Sequence, residues 1–254
     1  DGLAVKSAER VLRIFDLLTD YPDGLSNKEI SEKLGYAPSS TIGLVKTLKM
    51  EGYLETGIHK TYRLGGKLVH LGNIAASYMD INELSAPVLK ELMMSLGETC
   101  FVGVLSKDEV VYIAKARSNY TINTNADIGS RKPIYCTGLG KAFLSFVDAK
   151  ESEKLMEGIE FRQYTDKTVK NSSELKKQIS YFKKRGYAVD DEEIEAGLWC
   201  LAVPVYNGNG RMIAAISTSG PRTRMLEKVE LIKKEMLTAS DVLSKKMGYF
   251  RRNN

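Results

Sequence analysis

Histidine and tryptophan are nearly missing from this chain: His59, His70 and Trp199 are all there is in 254 residues. Both histidines fall in the first 80 residues, so no Ser/His/Asp set can form in the remainder, and a Cys200 nucleophile there would have no histidine base. Cysteine is almost as scarce. Cys100, Cys136 and Cys200 are odd in number and widely spaced, which argues against a disulfide framework, points to a reducing cytoplasm, and falls short of zinc-ligand spacing. No metal or cofactor is expected. No apolar run approaches the ~18 residues that a membrane span requires, and the opening Asp1-Gly2-Leu3-Ala4-Val5-Lys6 lacks the basic-then-apolar pattern of a secretory leader. No internal repeat or low-complexity tract is found. Charge is nearly balanced, with 37 basic against 32 acidic residues, and hydrophobic residues make up 43%. Those values belong to a folded globular chain and exclude a disordered or collagenous one.

What is present is organised. Val5, Ala8, Val11, Leu12, Phe15 and Leu18 recur at helical spacing over 5–19. Tyr21-Pro22-Asp23-Gly24 punctuates that helix, and Ser26 before Glu29 has the spacing of a capping box opening a short helix at 27–34. Gly35 closes it. Pro38-Ser39 begins a third helix reaching about Met50. Two strand-like pieces, 53–55 and 61–64, flank a glycine-containing turn. Three short helices and a hairpin within about 65 residues give the order of a winged helix-turn-helix. In that reading the third helix enters a major groove, with Ser39, Ser40 and Thr41 at its start, Lys46 and Lys49 further along, and His59, Lys60 and Arg63 on the wing.

Charge supports this locally. Residues 1–80 hold ten basic and ten acidic side chains, whereas 38–67 hold five basic and two acidic. A monomer with so few phosphate contacts binds DNA weakly, so a homodimer or homotetramer on palindromic double-stranded DNA is expected.

A helix at 66–80, with Leu68, Leu71, Ile74, Ala75 and Tyr78 on one stripe, leads to a break at Asp80-Ile81-Asn82. We therefore divide the chain into a DNA-binding domain (1–65), a linker helix (66–81) and a second domain (82–254). The second domain reads as α+β. Its expected helices are 83–96, 139–147, 150–157, 172–185 and 224–247, its strands 99–106, 109–116, 187–191, 198–206 and 211–219, and 117–133 is a polar loop. Asn207-Gly208-Asn209-Gly210 is a strong hairpin turn.

Three segments of this domain look like walls of one pocket. Gly129–Ala142 is a glycine-rich turn running into a helix, which leaves backbone N–H groups free for an anion. It is not a nucleotide-triphosphate loop, because Tyr135 and Ala142 stand where that motif requires glycine and a hydroxyl residue. Strand alternation puts Leu198 and Cys200 on one face and Trp199 on the other, and puts Ser217 and Ser219 together. Convergent hydroxyls, a thiol and amides suit a small carboxylate. Taken singly, Cys200 also reads as a small core residue, the paired serines as solvent-facing, and Asp190-Asp191-Glu192-Glu193 as a solvated acidic loop.

Taken together the residues resemble the IclR family of bacterial transcription regulators. The resemblance rests on Lys6-Ser7-Ala8-Glu9-Arg10-Val11-Leu12, Leu48-Lys49-Met50-Glu51-Gly52-Tyr53-Leu54, Cys136-Thr137-Gly138-Leu139-Gly140-Lys141-Ala142, Gly186-Tyr187-Ala188-Val189-Asp190-Asp191-Glu192-Glu193 and Ala214-Ala215-Ile216-Ser217-Thr218-Ser219-Gly220-Pro221. It covers about Val5 to Tyr249.

It implies an α+β chain with an N-terminal winged helix-turn-helix, a linker helix and a C-terminal GAF-like effector-binding domain, responding to a small organic acid or related metabolite. By position, effector contacts fall on Lys132, Gly138, Leu139, Asp190, Cys200, Ser217 and Ser219. Two departures stand out. Gly43 occupies a recognition-helix position where relatives carry arginine or another long side chain, so Ser39, Ser40, Ile42, Lys46 and the wing carry more of the readout. Lys132 replaces a commonly apolar residue and would favour an anionic effector. A ligand-responsive repressor is the expected function. The competing readings are a small-molecule-converting enzyme, for which Asp190 and Glu193 lack any companion motif, and a non-sensing dimeric adaptor.

Overall fold

A computed structural model of the chain describes residues 5–124 and 126–250. Residues 1–4 and 251–254, at the ends of the expected domains, and Asn125, in the expected 117–133 loop, lie outside the described residues. The chain divides into two compact units, one reaching to Tyr78 and the other spanning Met79–Phe250.

In the first unit, helices α1 (Lys6–Thr19), α2 (Asn27–Leu34) and α3 (Pro38–Met50) precede strands β1 (Leu54–Thr56) and β2 (Tyr62–Leu64), followed by helix α4 (Gly66–Ser77). The expected local signals each have a partner. Ser26 Oγ accepts from the Glu29 amide at 3.3 Å while Glu29 Oε2 accepts from the Ser26 amide at 2.8 Å, closing the capping box. Gly35 ends α2 at φ 66°, a left-handed conformation that glycine adopts without steric cost. Ile14, Leu18, Leu25, Ile30, Val45, Leu48 and Leu54 form the core.

The core stripe of α1 differs from the expected one. It runs through Val11, Ile14, Phe15 and Leu18, and Val5, Ala8 and Leu12 form a second, exposed stripe. α4 buries none of its residues. It ends at Ser77, earlier than expected, because Asp80 caps the next helix by accepting from the Asn82 amide at 2.8 Å.

In the second unit, six antiparallel strands run in the order β5-β4-β3-β8-β7-β6. They are β3 (Thr99–Ser106), β4 (Glu109–Ala116), β5 (Arg131–Pro133), β6 (Ala188–Asp191), β7 (Leu198–Tyr206) and β8 (Met212–Pro221). Helices α5 (Ile81–Leu96) and α10 (Val229–Lys246) cover one face, burying Leu89, Leu92, Ile232 and Met236 against Val102, Leu201 and Ile216. Helices α6 (Gly138–Phe146) and α8 (Ser172–Arg185) cover the other, burying Leu139, Phe143, Leu175 and Ile179 against Phe101, Ala202 and Ala215. Helix α7 (Ala149–Glu157) follows α6.

Two expectations are corrected here. β5 lies inside the segment read as polar loop: its Arg-Lys-Pro sequence carries no apolar alternation, yet it pairs Glu109↔Pro133 at the sheet edge. The expected 224–247 helix is two helices, α9 (Arg222–Glu227) and α10, broken at Lys228. Arg224, before this break, and Lys228, at it, share one buried carboxylate: Glu98 accepts from Arg224 at 2.5 and 2.7 Å and from Lys228 at 2.8 Å. Leaving that buried carboxylate unpaired would cost several kcal/mol, on the order of 3–5.

Candidate DNA-reading surface and effector cavity

Pro38 begins α3 at its first helical position, and Ala37 precedes it in extended conformation. Ser39, Ile42, Gly43, Lys46 and Lys49 are exposed on this helix, while Thr41, Val45 and Leu48 face the core. Ser40 is half-buried and accepts from Arg10 at 3.2 Å. Thr41 is a correction. Its hydroxyl and its amide both donate to the Ala37 carbonyl, at 3.2 and 3.1 Å, and its side chain is buried, so it cannot face a base edge. A Cβ built on Gly43 meets nothing within 4 Å, so the glycine is not demanded by packing.

The wing turns through His59 and Lys60, both left-handed at φ 60° and 61°, with the Gly57 amide bonded to the Thr61 carbonyl at 2.8 Å. Lys60 is exposed at its tip. Arg63 is held across the hairpin by Glu55 at 2.7 Å, and Lys67 lies 3.6 Å from Glu51. Among the described residues Lys46, Lys49 and Lys60 make no ion pair, which leaves their ammonium groups available for phosphate.

The second site begins with register. Asp190 on β6 pairs with Cys200 on β7, which pairs with Ser219 on β8. One step along, Ala202 pairs with Ser217, and Ser217 with Phe101. Side chains in each row share a face, so Asp190, Cys200, Ser217 and Ser219 all project toward the α6 side of the sheet. The first residue of α6, Gly138, lies directly over Cys200: a Cβ built on Gly138 would stand 2.5 Å from Sγ. Its neighbour Thr137 caps the helix, accepting from the Gly140 amide at 3.2 Å. The amides of Gly138 and Leu139 are thereby among those that no turn of the helix satisfies.

A cavity of about 290 Å³ opens between these elements. Lys132, Gly138, Asp190, Cys200, Ser217 and Ser219 line it. The Leu139 side chain does not: it packs into the core between α6 and the sheet. Ser130 and Thr137, within the glycine-rich segment, and Leu198 also line it, and sequence reasoning missed Tyr112, Thr124, Ala126, Ile194 and Glu195. Leu198 followed from the same alternation that placed Cys200. The others come from segments whose approach depends on tertiary packing.

The four consecutive acids do not form a solvated loop. Asp190 is buried and accepts from the Glu193 amide at 2.8 Å. Asp191 binds Arg222 at 2.6 Å, and Glu192 pairs with Lys167. Glu193 is buried against Lys141 of α6, itself fully buried, and also accepts from Gln178 at 3.0 Å and the Val169 amide at 3.2 Å. Burial raises the Asp190 carboxyl to about 7, against the opposing pull of Lys141 and the amides of Glu193 and Ile194. Burial pushes the Cys200 thiol far up as well, so it is not a thiolate. Among the described residues Lys132 makes no ion pair.

A helix-turn-helix with a wing and a second unit with a polar cavity under a helix N-terminus define a class, the DNA-binding regulator with a built-in ligand-binding domain. Comparison with known proteins makes this particular. The model for the bacterial transcriptional regulator IclR C-terminal domain matches residues 74–245, and that for the IclR helix-turn-helix domain matches residues 7–57. The chain is 33% identical to the HTH-type transcriptional regulator XynR of Escherichia coli over 248 residues, covering 96% of this chain and 98% of that one. It is 32% identical to KdgR of the same organism, covering 96% and 94%. The crystal structure of the Agobacterium tumefaciens repressor BlcR superposes with a TM-score of 0.80 at 27% identity, covering 98% of this chain and 99% of that one. The chain belongs to the IclR family of bacterial transcriptional regulators, and is a DNA-binding regulator. Among the described residues no helix is long and apolar enough to cross a membrane.

Proposed function

We propose that this regulator is a cytoplasmic repressor that binds palindromic promoter DNA as a homodimer or homotetramer and changes its grip when a small organic acid fills the 290 Å³ cavity. The carrying observation is the convergence of Ser217, Ser219, Cys200 and Asp190 beneath the N-terminus of α6, with an unpaired lysine at the rim. The Leu139 amide and the helix dipole favour a carboxylate there, the Gly138 amide being directed at Cys200. Leu139 contributes its amide rather than its side chain. Lys132 adds a cation, and the hydroxyls position the remainder of the ligand. The site binds without converting its ligand: its thiol is held protonated, and neither histidine of the chain lies in this unit.

On the DNA side, Ser39, Ser40, Ile42 and Lys46 face the groove, and Lys60 and Arg63 reach adjacent phosphates, Arg63 after releasing Glu55. Self-association is supported by apolar residues left in water in the first unit, Val5 just before α1, Leu12 on it, and Val69, Leu71 and Ile74 on α4. A ligand can shift DNA affinity only as far as it prefers one arrangement of the oligomer.

Two measurements test this. Fluorescence anisotropy with fragments upstream of the regulator's own operon should give salt-dependent binding. A thermal-shift screen of the pure protein against a panel of organic acids should give hits that Ser217→Phe abolishes. Hits that persist in Ser217→Phe would move the effector elsewhere, and absence of DNA binding at any salt would end the proposal.

A further inference from the structure

The outward face of α3 carries, in its first turns, an apolar residue whose chemistry does not suit either phosphate or water. Ile42 is 43% exposed, whereas its neighbours Thr41 and Val45 are buried. It stands near the start of the helix, in the part that meets base edges when such a helix enters a major groove. Ser39 lies one turn before it and Lys46 one turn after, both exposed. Beside it, Gly43 has no side chain, and the space where one would begin is open. No side chain at position 43 therefore crowds a surface that Ile42 touches.

Each base pair presents a distinct pattern in the major groove, and the apolar group in that pattern is the C5-methyl of thymine. An exposed β-branched aliphatic side chain offers nothing to the donors and acceptors of the other edges. We propose that Ile42 reads a thymine methyl in each operator half-site, with no side chain at Gly43 competing with it for that base edge. The inference rests on the operator-binding reading above and adds a base identity to it. It assigns Ile42 a part in specificity, while Lys46 and Lys60 supply sequence-independent affinity.

The test uses the full chain. Duplexes enriched from a random pool by the wild-type protein define a site. Each thymine in that site is then replaced by uracil, which removes only the methyl group, and affinity is measured by anisotropy at fixed salt. The expected result is one symmetry-related thymine position per half-site at which uracil weakens wild-type binding about three- to tenfold, the effect of leaving one or two methyl groups unburied. Ile42→Ala should bind the thymine site more weakly by a similar factor and show no discrimination between thymine and uracil there, while Ile42→Val should retain most of it. Ile42 is exposed, so both variants should melt with the wild type by circular dichroism. If no uracil position separates wild type from Ile42→Ala, or if the enriched half-site has no thymine, the inference is overturned while operator binding stands. If no duplex is enriched at all, operator binding fails and the inference with it.

Discussion

Asp190 faces Cys200 across the β6–β7 ladder, so a carboxyl raised to about 7 and a thiol held protonated sit side by side at the floor of the cavity. Lys141 and Glu193 also act on Asp190 from the buried side, one lowering and one raising its affinity for a proton, and Tyr112 is half-buried on the cavity wall nearby. A protonated Asp190 donates a hydrogen bond to an acidic effector, whereas an ionised one repels it. Affinity for an organic acid should therefore fall as pH rises through about 7, by up to about tenfold per pH unit above it. Titration calorimetry at pH 6, 7 and 8 checks this, and Asp190→Asn should flatten the dependence. Equal affinity at all three pH values in the wild type would show that Asp190 does not titrate against the ligand.

The same shift has a consequence for stability. A carboxyl raised on folding lets the folded state keep a proton that the unfolded chain gives up near the usual carboxylate value of about 3.9. Its favourable contribution is complete below that value and is lost as pH rises through about 7. Asp190→Asn removes the cost of holding a buried charge while its amide oxygen still accepts from the Glu193 amide. Thermal melts should show the variant gaining stability relative to wild type at pH 8, by roughly 2 °C or more, and gaining less at pH 5. A variant that loses stability at pH 8 would contradict this.

Lys141 and Glu193 anchor the loop after β6 to α6, the helix that roofs the cavity. Both are buried, so removing one leaves the other charged and unpaired. Lys141→Met should destabilise the second unit by about 3–5 kcal/mol in denaturant melts, and the double variant Lys141→Met/Glu193→Leu should recover much of that. Additive losses would mean the two groups are not coupled.

Gly138 leaves room for Cys200 where a side chain would collide with it. Gly138→Ala should shift α6 or the strand, lowering stability by about 1–3 kcal/mol and weakening effector binding, with anisotropy on DNA unchanged in the absence of effector. Removing Sγ by a second change, Cys200→Ala, leaves the new methyl at ordinary contact with the β7 side chain and should restore much of the lost stability. If Gly138→Ala binds effector normally, the N-terminus of α6 is not the roof of the site.

Local physics made much of this legible in the sequence. Ser26 with Glu29, Gly35, and Asn207-Gly208-Asn209-Gly210 each encode a cap or turn through their own backbone needs. Period-two alternation put Leu198 with Cys200 and Ser217 with Ser219, while the strand register that brings the two pairs to one side of the sheet is tertiary. The misses share a cause. Asp190 to Glu193 reads as solvated because its partners, Lys141, Lys167, Arg222 and the Val169 amide, come from other elements. The break at Lys228 has no glycine or proline to announce it, and its lysine is held by Glu98, 130 positions away in the chain. Thr41 read as groove-facing because a hydroxyl on a recognition helix invites it, and only helix rotation against Val45 and Leu48 shows that it points inward.

Gly43 separates the cost of a glycine in a helix from the cost of a missing contact. No neighbour lies within 4 Å of a Cβ built there, so Gly43→Ala fits without strain and should stabilise the first unit by about 1 kcal/mol through helix propensity alone. Its DNA affinity should stay close to wild type, because a methyl group adds no phosphate contact. Gly43→Arg adds a cation beside Ile42 and Lys46 on the exposed face. If it reaches phosphate in both half-sites of a dimer, the slope of log affinity against log salt should steepen by about 2, and binding should tighten most at low salt. If Gly43→Arg instead gains affinity with an unchanged slope, the arginine is reading a base rather than a phosphate. If it loses affinity at every salt, a long side chain at this position collides with the DNA instead of reaching phosphate.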